Sequence, residues 1–368
     1  MKPAAIISVF LVSTFVVVGG GILAFHALKT GPIGQAYVRQ QFWKFKAEGD
    51  RYAAAHQYDQ AIAAYDRMIA VRPLKPTGYE YRADCYYDMN RYGMVIADDN
   101  EALRLVNTPE GIEELGFGNI PRAELARDVR EVKSDIYQSR GLAYIGQGKH
   151  QLAVADLTMS LRLYPTRDDA HGARAISYLA LSQFDKALAD ARIDARQHPK
   201  EFESRLMIGK ILGKMGRVRE AEGAYTSAIA ADPRDDRGYY ELIQLQDRVE
   251  DYRGALRTAR MDLRGNPNSQ DKWGTLGWYQ YLTGNVPGAI VSDKKALSLS
   301  GNAGWIESNL GLCYAVEGDW SSASKHYRIV KSQGDAKNIT ASRADIAKAL
   351  KRHPGSAALK QADALLRS

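Results

Sequence analysis

The chain has 368 residues, 45% apolar and 25% charged, close to the average for soluble proteins, so its length permits a large core. Its net charge of +7 comes from 50 basic residues set among 43 acidic ones with no run of five like charges. That pattern reads as a solvated surface, and no nucleic-acid partner is expected. The two cysteines, Cys85 and Cys313, stand far apart in the chain and are not expected to pair.

In chain order, Lys2 and Pro3 precede an uncharged stretch over residues 4–25, long enough to cross a hydrocarbon core of about 30 Å. Residues 1–27 are read as a transmembrane signal anchor. The alternative is a cleaved signal peptide with its apolar part at residues 6–18 and small residues at Gly19, Gly20 and Gly21. Against cleavage, the apolar run continues through Ile22, Leu23, Ala24 and Phe25. A short lysine-bearing tip before an apolar run is the usual export geometry. The expectation is therefore a single-pass membrane protein with the rest of the chain outside the cytoplasm, although Lys29 and Arg39 leave the cytoplasmic side open. Residues 28–41, with Gly31, Pro32 and Gly34, are read as a linker.

From residue 42 the pattern repeats every 34 residues. Repeats start at 42, 76, 134, 168, 202, 236, 270 and 304, and the last six follow without a gap. Each reads as helix A, a turn, helix B and a turn. Position 8 holds Gly49, Ala83, Gly141, Ala175, Gly209, Ile243, Gly277 and Gly311. Position 20 holds Ala61, Val95, Ala153, Ala187, Ala221, Ala255, Ala289 and Ala323. Small residues belong where the two helix axes come closest. Aromatic and apolar residues at positions 4, 8 and 11 share one stripe of helix A and predict its buried face. Proline at position 32 (Pro73, Pro165, Pro199, Pro233, Pro267) ends helix B.

Small residues at 8 and 20, aromatics at 11 and 24 (Tyr65, Tyr225, Tyr327) and Pro at 32, all at period 34, resemble the tetratricopeptide repeat. The resemblance covers residues 42–337. It implies an all-α fold: a right-handed superhelical solenoid of helix-turn-helix repeats, with repeats 1–2 at 42–109 and repeats 3–8 at 134–337. Ile243, Gln246 and Gln280 depart from the pattern and put local packing in repeats 6 and 7 in question. Residues 110–133 are an insertion, read as an extension of the following helix A or an extra surface helix, with a lid over one end of the groove as the sharper alternative. Residues 338–368 carry two further helices expected to cap the stack.

The sequence offers little for catalysis. No two histidines have metal-ligand spacing on one helix, and no phosphate-binding loop is present. The acid pairs Asp98-Asp99, Asp168-Asp169 and Asp235-Asp236 are read as solvated residues at helix edges. Catalytic, cofactor and metal sites are each expected to be absent, and an enzyme is not expected.

The resemblance implies a concave groove lined by helix A positions 2, 5, 9 and 12. The Lys-and-Asn clamp by which some family members grip an acidic C-terminus is missing, because Lys46 at position 5 meets Asp50 at position 9. The candidate partner-binding residues are Lys210, Tyr240, Gln244, Trp278, Tyr281 and Trp305, an aromatic patch beside basic residues; Leu206 and Gly213 are further groove candidates. The expected function is a membrane-anchored adaptor binding peptide segments of partner proteins, in bacterial envelope assembly or secretion. A secreted repeat protein after signal cleavage and a self-associating scaffold are the alternatives.

Overall fold

The computed structural model describes residues 32–116, 121–167, 169–301 and 303–367. These form nineteen helices and no strand. The chain divides into two compact units, the first ending at Asp190 and the second beginning at Ala191.

The first unit opens with helix A of repeat 1, α1 (Pro32–Ala54), and its partner α2 (Tyr58–Val71). Repeat 2 is α3 (Thr77–Asp88) and α4 (Tyr92–Leu105). The inserted stretch contributes α5 (Pro109–Gly116) and the beginning of α6 (Arg122–Gly146), which continues as helix A of repeat 3 and pairs with α7 (His150–Leu163). Repeat 4 is α8 (Ala170–Ala180) and α9 (Phe184–Gln197), and the division between units falls within α9. Leu115, Val129 and Val132 from the inserted stretch pack on Ala102, Leu103, Val106 and Ile136, so the insertion closes apolar surface around the end of repeat 2.

The second unit holds α10 (Phe202–Lys214) with α11 (Val218–Ala231), α12 (Asp236–Arg248) with α13 (Tyr252–Gly265), α14 (Gln270–Leu282) with α15 (Val286–Ser300), and α16 (Gly304–Glu317) with α17 (Trp320–Ser332). Two further helices follow, α18 (Ala336–Arg352) and α19 (Ala357–Arg367). Ile346, Ala349, Leu359 and Ala362 of this last pair form one core with Leu312, Ala315 and Tyr327 of repeat 8. The pair therefore covers apolar surface that a ninth repeat would otherwise have to bury.

Three periodic features explain the hairpins. Position 20 is fully buried in all eight repeats. Position 8 lies against position 24 of the same hairpin: a Cβ added at Gly209 would lie 2.5 Å from the Tyr225 ring and one at Gly141 would lie 2.9 Å from Leu157 Cγ. Repeat 6 reverses the sizes, burying Ile243 beside Ala259. Position 15 has a left-handed backbone throughout, with φ between 55 and 87° at His56, Asn90, Gly148, Ser182, Gly216, Glu250, Gly284 and Gly318. This residue ends helix A and turns the chain into helix B. Third, position 4 ties repeats 2, 6 and 7 to the preceding turn. Tyr79 Oη donates to the Pro73 carbonyl (3.2 Å) and Trp273 Nε1 to the Pro267 carbonyl (2.8 Å).

Several expectations are corrected. Residues 32–41, read as linker, are helical and continuous with repeat 1. Proline is tolerated in a first helical turn, and the residues after Gly34 are compatible with a helix. Asp98 and Asp99 are not at a helix edge: both are buried inside α4. The polar departures in repeats 6 and 7 are satisfied locally. Gln246 accepts from Thr258 Oγ1 (2.9 Å) and Gln280 accepts from Ser292 Oγ (2.7 Å), each bridging helix A to helix B. The anchor read at residues 4–25 lies outside the described residues. Among those described, no helix is long and apolar enough to cross a membrane.

Candidate partner-binding faces

In the second unit the six candidate residues lie on successive helices A but differ in accessibility. Tyr240 is 61% exposed and Gln244, one turn along α12, is also exposed. Lys210 on α10 is half-exposed and forms an ion pair with Glu241 at 3.3 Å. These three offer an accessible phenol, an amide and a charge. The other three are half-buried and serve packing. The Trp305 ring covers Gly274, where a Cβ would collide with it. Trp278 and Tyr281, 5.6 Å apart between ring centroids, lean on the core shared by repeat 8 and the last two helices.

Other groove positions are closed. Leu206 is 2% exposed, and Ser308, Leu312 and Ala315 are buried against neighbouring helices. Ser308 and Ser342 share a hydrogen bond of 2.5 Å, which ties α16 to α18. Gly213 remains half-exposed.

In the first unit the corresponding face carries acids. Glu80 and Asp84 occupy positions 5 and 9 of α3, Asp135 lies at position 2 of repeat 3, and Asp99 lies behind them on α4. Burial pushes Glu80 up to about 8, with the charges of Asp135, Asp84 and Asp99 adding to the shift. Asp84, accessible from solvent yet hemmed in by protein, is raised to about 6 by the partial loss of water around it and by Asp88 and Asp135. Burial raises Asp99 to about 8 against the pull of the Ser139 hydroxyl. Asp135 is held by Arg167. Lys75, buried and lowered to about 8 by burial and Arg72, donates to the Glu114 carbonyl of α5 at 2.7 Å. At the rim, Lys46 bonds Asp50 at 2.7 Å and lies over the Tyr81 ring.

Beneath this face runs a polar ladder that the sequence reading did not identify. Arginine at position 7 grips an aspartate at position 23 with two nitrogens, at 2.6–2.9 Å: Arg82 with Asp98, Arg140 with Asp156, Arg174 with Asp190. The third nitrogen reaches back to position 25 of the preceding helix B, at Asp66, Asn100 and Thr158. Each arginine thus joins both helices of its own repeat to the repeat before it. The available signal was an Arg-to-Asp spacing of 16 residues recurring in three repeats.

The tetratricopeptide-repeat family profile matches residues 46–94 and 206–269. The C-terminal part of a tetratricopeptide protein from Cytophaga hutchinsonii superposes with a TM-score of 0.56 at 16% identity, over 72% of this chain and 99% of that one. The fold is a tetratricopeptide-repeat array. A tetratricopeptide protein from Parabacteroides merdae gives a TM-score of 0.44 at 14% identity, over 80% of this chain and 99% of that one. YrrB, described as a tetratricopeptide protein with an unusual peptide-binding site, gives 0.43 at 17% identity, over 55% and 93% of the respective chains. A search of proteins with curated function finds no match. Among the described residues, positions 5 and 9 of helix A are exposed in some repeats and closed in others.

Proposed function

We propose that this chain is a tetratricopeptide adaptor that binds peptide segments of partner proteins along its helix A faces. In the second unit the observation that carries the reading is Tyr240, a large aromatic left 61% exposed on a helix whose one other aromatic, Tyr239, is buried. Exposed tyrosine beside an amide and an ion pair suits an extended peptide, because it offers contact area at little entropic cost together with hydrogen-bonding groups. The proposal includes an anchor at residues 4–25 that confines the array to a membrane surface, with the repeats outside the cytoplasm and a role in bacterial envelope assembly or secretion.

The decisive experiment selects peptides from a displayed random 12-residue library on the full chain, then measures the best clone by fluorescence anisotropy. Replacing Tyr240→Ala together with Gln244→Ala should weaken binding at least tenfold, equivalent to ~1.4 kcal/mol. Unchanged affinity would remove Tyr240 from the site. Mass spectrometry of the mature N-terminus tests the anchor, and a start at Ile22 or later would replace it with a secreted chain. A reporter fused at Ser368 reports the side of the membrane.

A further inference from the structure

The reading above leaves unexplained the acids on the first unit's face. Asp99 is 1% exposed, and its carboxyl, near the Ser139 hydroxyl, has no partner in hydrogen-bonding geometry. Glu80 Oε1 is likewise buried and unpartnered. Buried polar atoms are almost always satisfied, so an unpartnered carboxyl and an unpartnered carboxyl oxygen on adjoining helices are an exception that calls for a cause. Position 24 elsewhere holds Tyr65, Leu157, Tyr225, Tyr327 or an alanine, each buried in the core, and in repeat 7 the buried Asp293, whose carboxyl is raised by burial alone. Repeat 2 gives up that apolar packing for a carboxyl whose charge acts on Glu80 and which the charge of Asp84 in turn raises. The cations already nearby are committed. Lys75 is bound to Glu114, Arg167 to Asp135, and Arg140 to Asp156 and Asn100.

We propose that Glu80, Asp84 and Asp99 form a subsite for the cationic side chain, lysine or arginine, of a bound peptide segment. The proposal rests on the reading that helix A faces receive peptides, and it assigns one face its ligand chemistry. Access runs through Asp84, which is exposed, and Glu80, which is half-buried; Asp99 lies beneath them and offers an approaching cation a further carboxyl from below. Tyr87, one turn along α3 from Asp84 and also exposed, offers a ring face for the aliphatic stem. A metal ion is the poorer occupant: among the described residues these carboxylates do not gather to within ligand distance of one another. The polarity is opposite to that of a clamp for an acidic terminus.

The test uses the displayed 12-residue library on the full chain and on the chain carrying Glu80→Gln with Asp99→Asn. These near-isosteric changes are checked for folding by circular dichroism. Clones selected on the unmodified chain should share a lysine or arginine at a fixed position. A synthetic peptide of the best clone should bind the variant at least tenfold more weakly. Its norleucine version should lose the same tenfold on the unmodified chain and be indifferent to the variant. Selected clones without a fixed basic residue would overturn the subsite while leaving peptide binding intact. So would a loss in the variant that persists with norleucine, which would mark structural damage. Saturable calcium binding abolished in the variant would assign the acids to an ion instead. A library yielding no binder at all would fail the peptide-binding reading and this one together.

Discussion

Replacing Asp293 should stabilise the protein. It occupies position 24 of repeat 7, is 0% exposed, and neither carboxyl oxygen has a hydrogen bond. It lies against Gly277, where a Cβ would collide with its Oδ1. Burial alone raises the carboxyl from 3.8 to about 8. The folded chain therefore holds this proton more tightly than the unfolded chain. Below the unfolded value both states are protonated and no penalty exists. Between 3.8 and about 8 the penalty grows by ~1.4 kcal/mol per pH unit, and above that range it is constant. At pH 7 this gives an upper bound of ~4 kcal/mol, reduced by relaxation of the surroundings, plus about 1–3 kcal/mol for the unmade hydrogen bonds. Asp293→Leu recreates the Gly141–Leu157 pairing of repeat 3 and adds apolar burial. We expect a gain of about 3 kcal/mol at pH 7, seen as a rise of roughly 6–10 °C in Tm for a unit of this size. Thermal melts by circular dichroism at pH 5 and pH 8.5 should show the larger gain at the higher pH. A gain independent of pH, or a loss of stability, would refute the reasoning, since it would mean that the carboxyl is ionised and paired in solution.

The ladder arginines and the close helix contacts give two further tests. Arg140→Ala strands the buried Asp156 carboxylate and should cost about 3 kcal/mol in urea unfolding, whereas Arg140→Met with Asp156→Leu should recover most of it. A loss under 1 kcal/mol for the single change would show the pair to be solvated. Gly209→Ala should cost about 2 kcal/mol because its Cβ meets the Tyr225 ring at 2.5 Å. Gly209→Ile with Tyr225→Ala, which copies Ile243 and Ala259 of repeat 6, should be the milder change, and chemical denaturation of the three chains decides the order.

The candidate face was only partly legible. A groove position can be numbered from the repeat, so Tyr240, Gln244 and Lys210 were identified and are accessible or half-accessible. The repeat number does not say whether a neighbouring helix closes over that position. Leu206 is buried inside the second unit, Trp305 folds over Gly274, and Ser308, Leu312 and Ala315 are covered in repeat 8. The acids were misread for a related reason. Asp98 and Asp99 look like a solvated pair in one dimension, but α4 runs through them, and their partners Arg82 and Glu80 lie 16 and 19 positions upstream on α3.

The sequence by itself determined the architecture of this protein. Each hairpin rests on contacts within one repeat, between position 8 and positions 20 and 24, and such local contacts recur at a fixed period that can be counted. Alanine or valine at position 20, proline at 32 and an aromatic at 4 carry that information because every unit needs the same close approach. What only the tertiary structure decided is which faces stay open and which charges are compensated. Those depend on side chains brought together from adjacent repeats, from the insertion at α5 and α6, and from α18 and α19. Burial, and with it the protonation of Glu80, Asp99 and Asp293, is a property of the assembled neighbourhood, so no periodicity in the chain announces it.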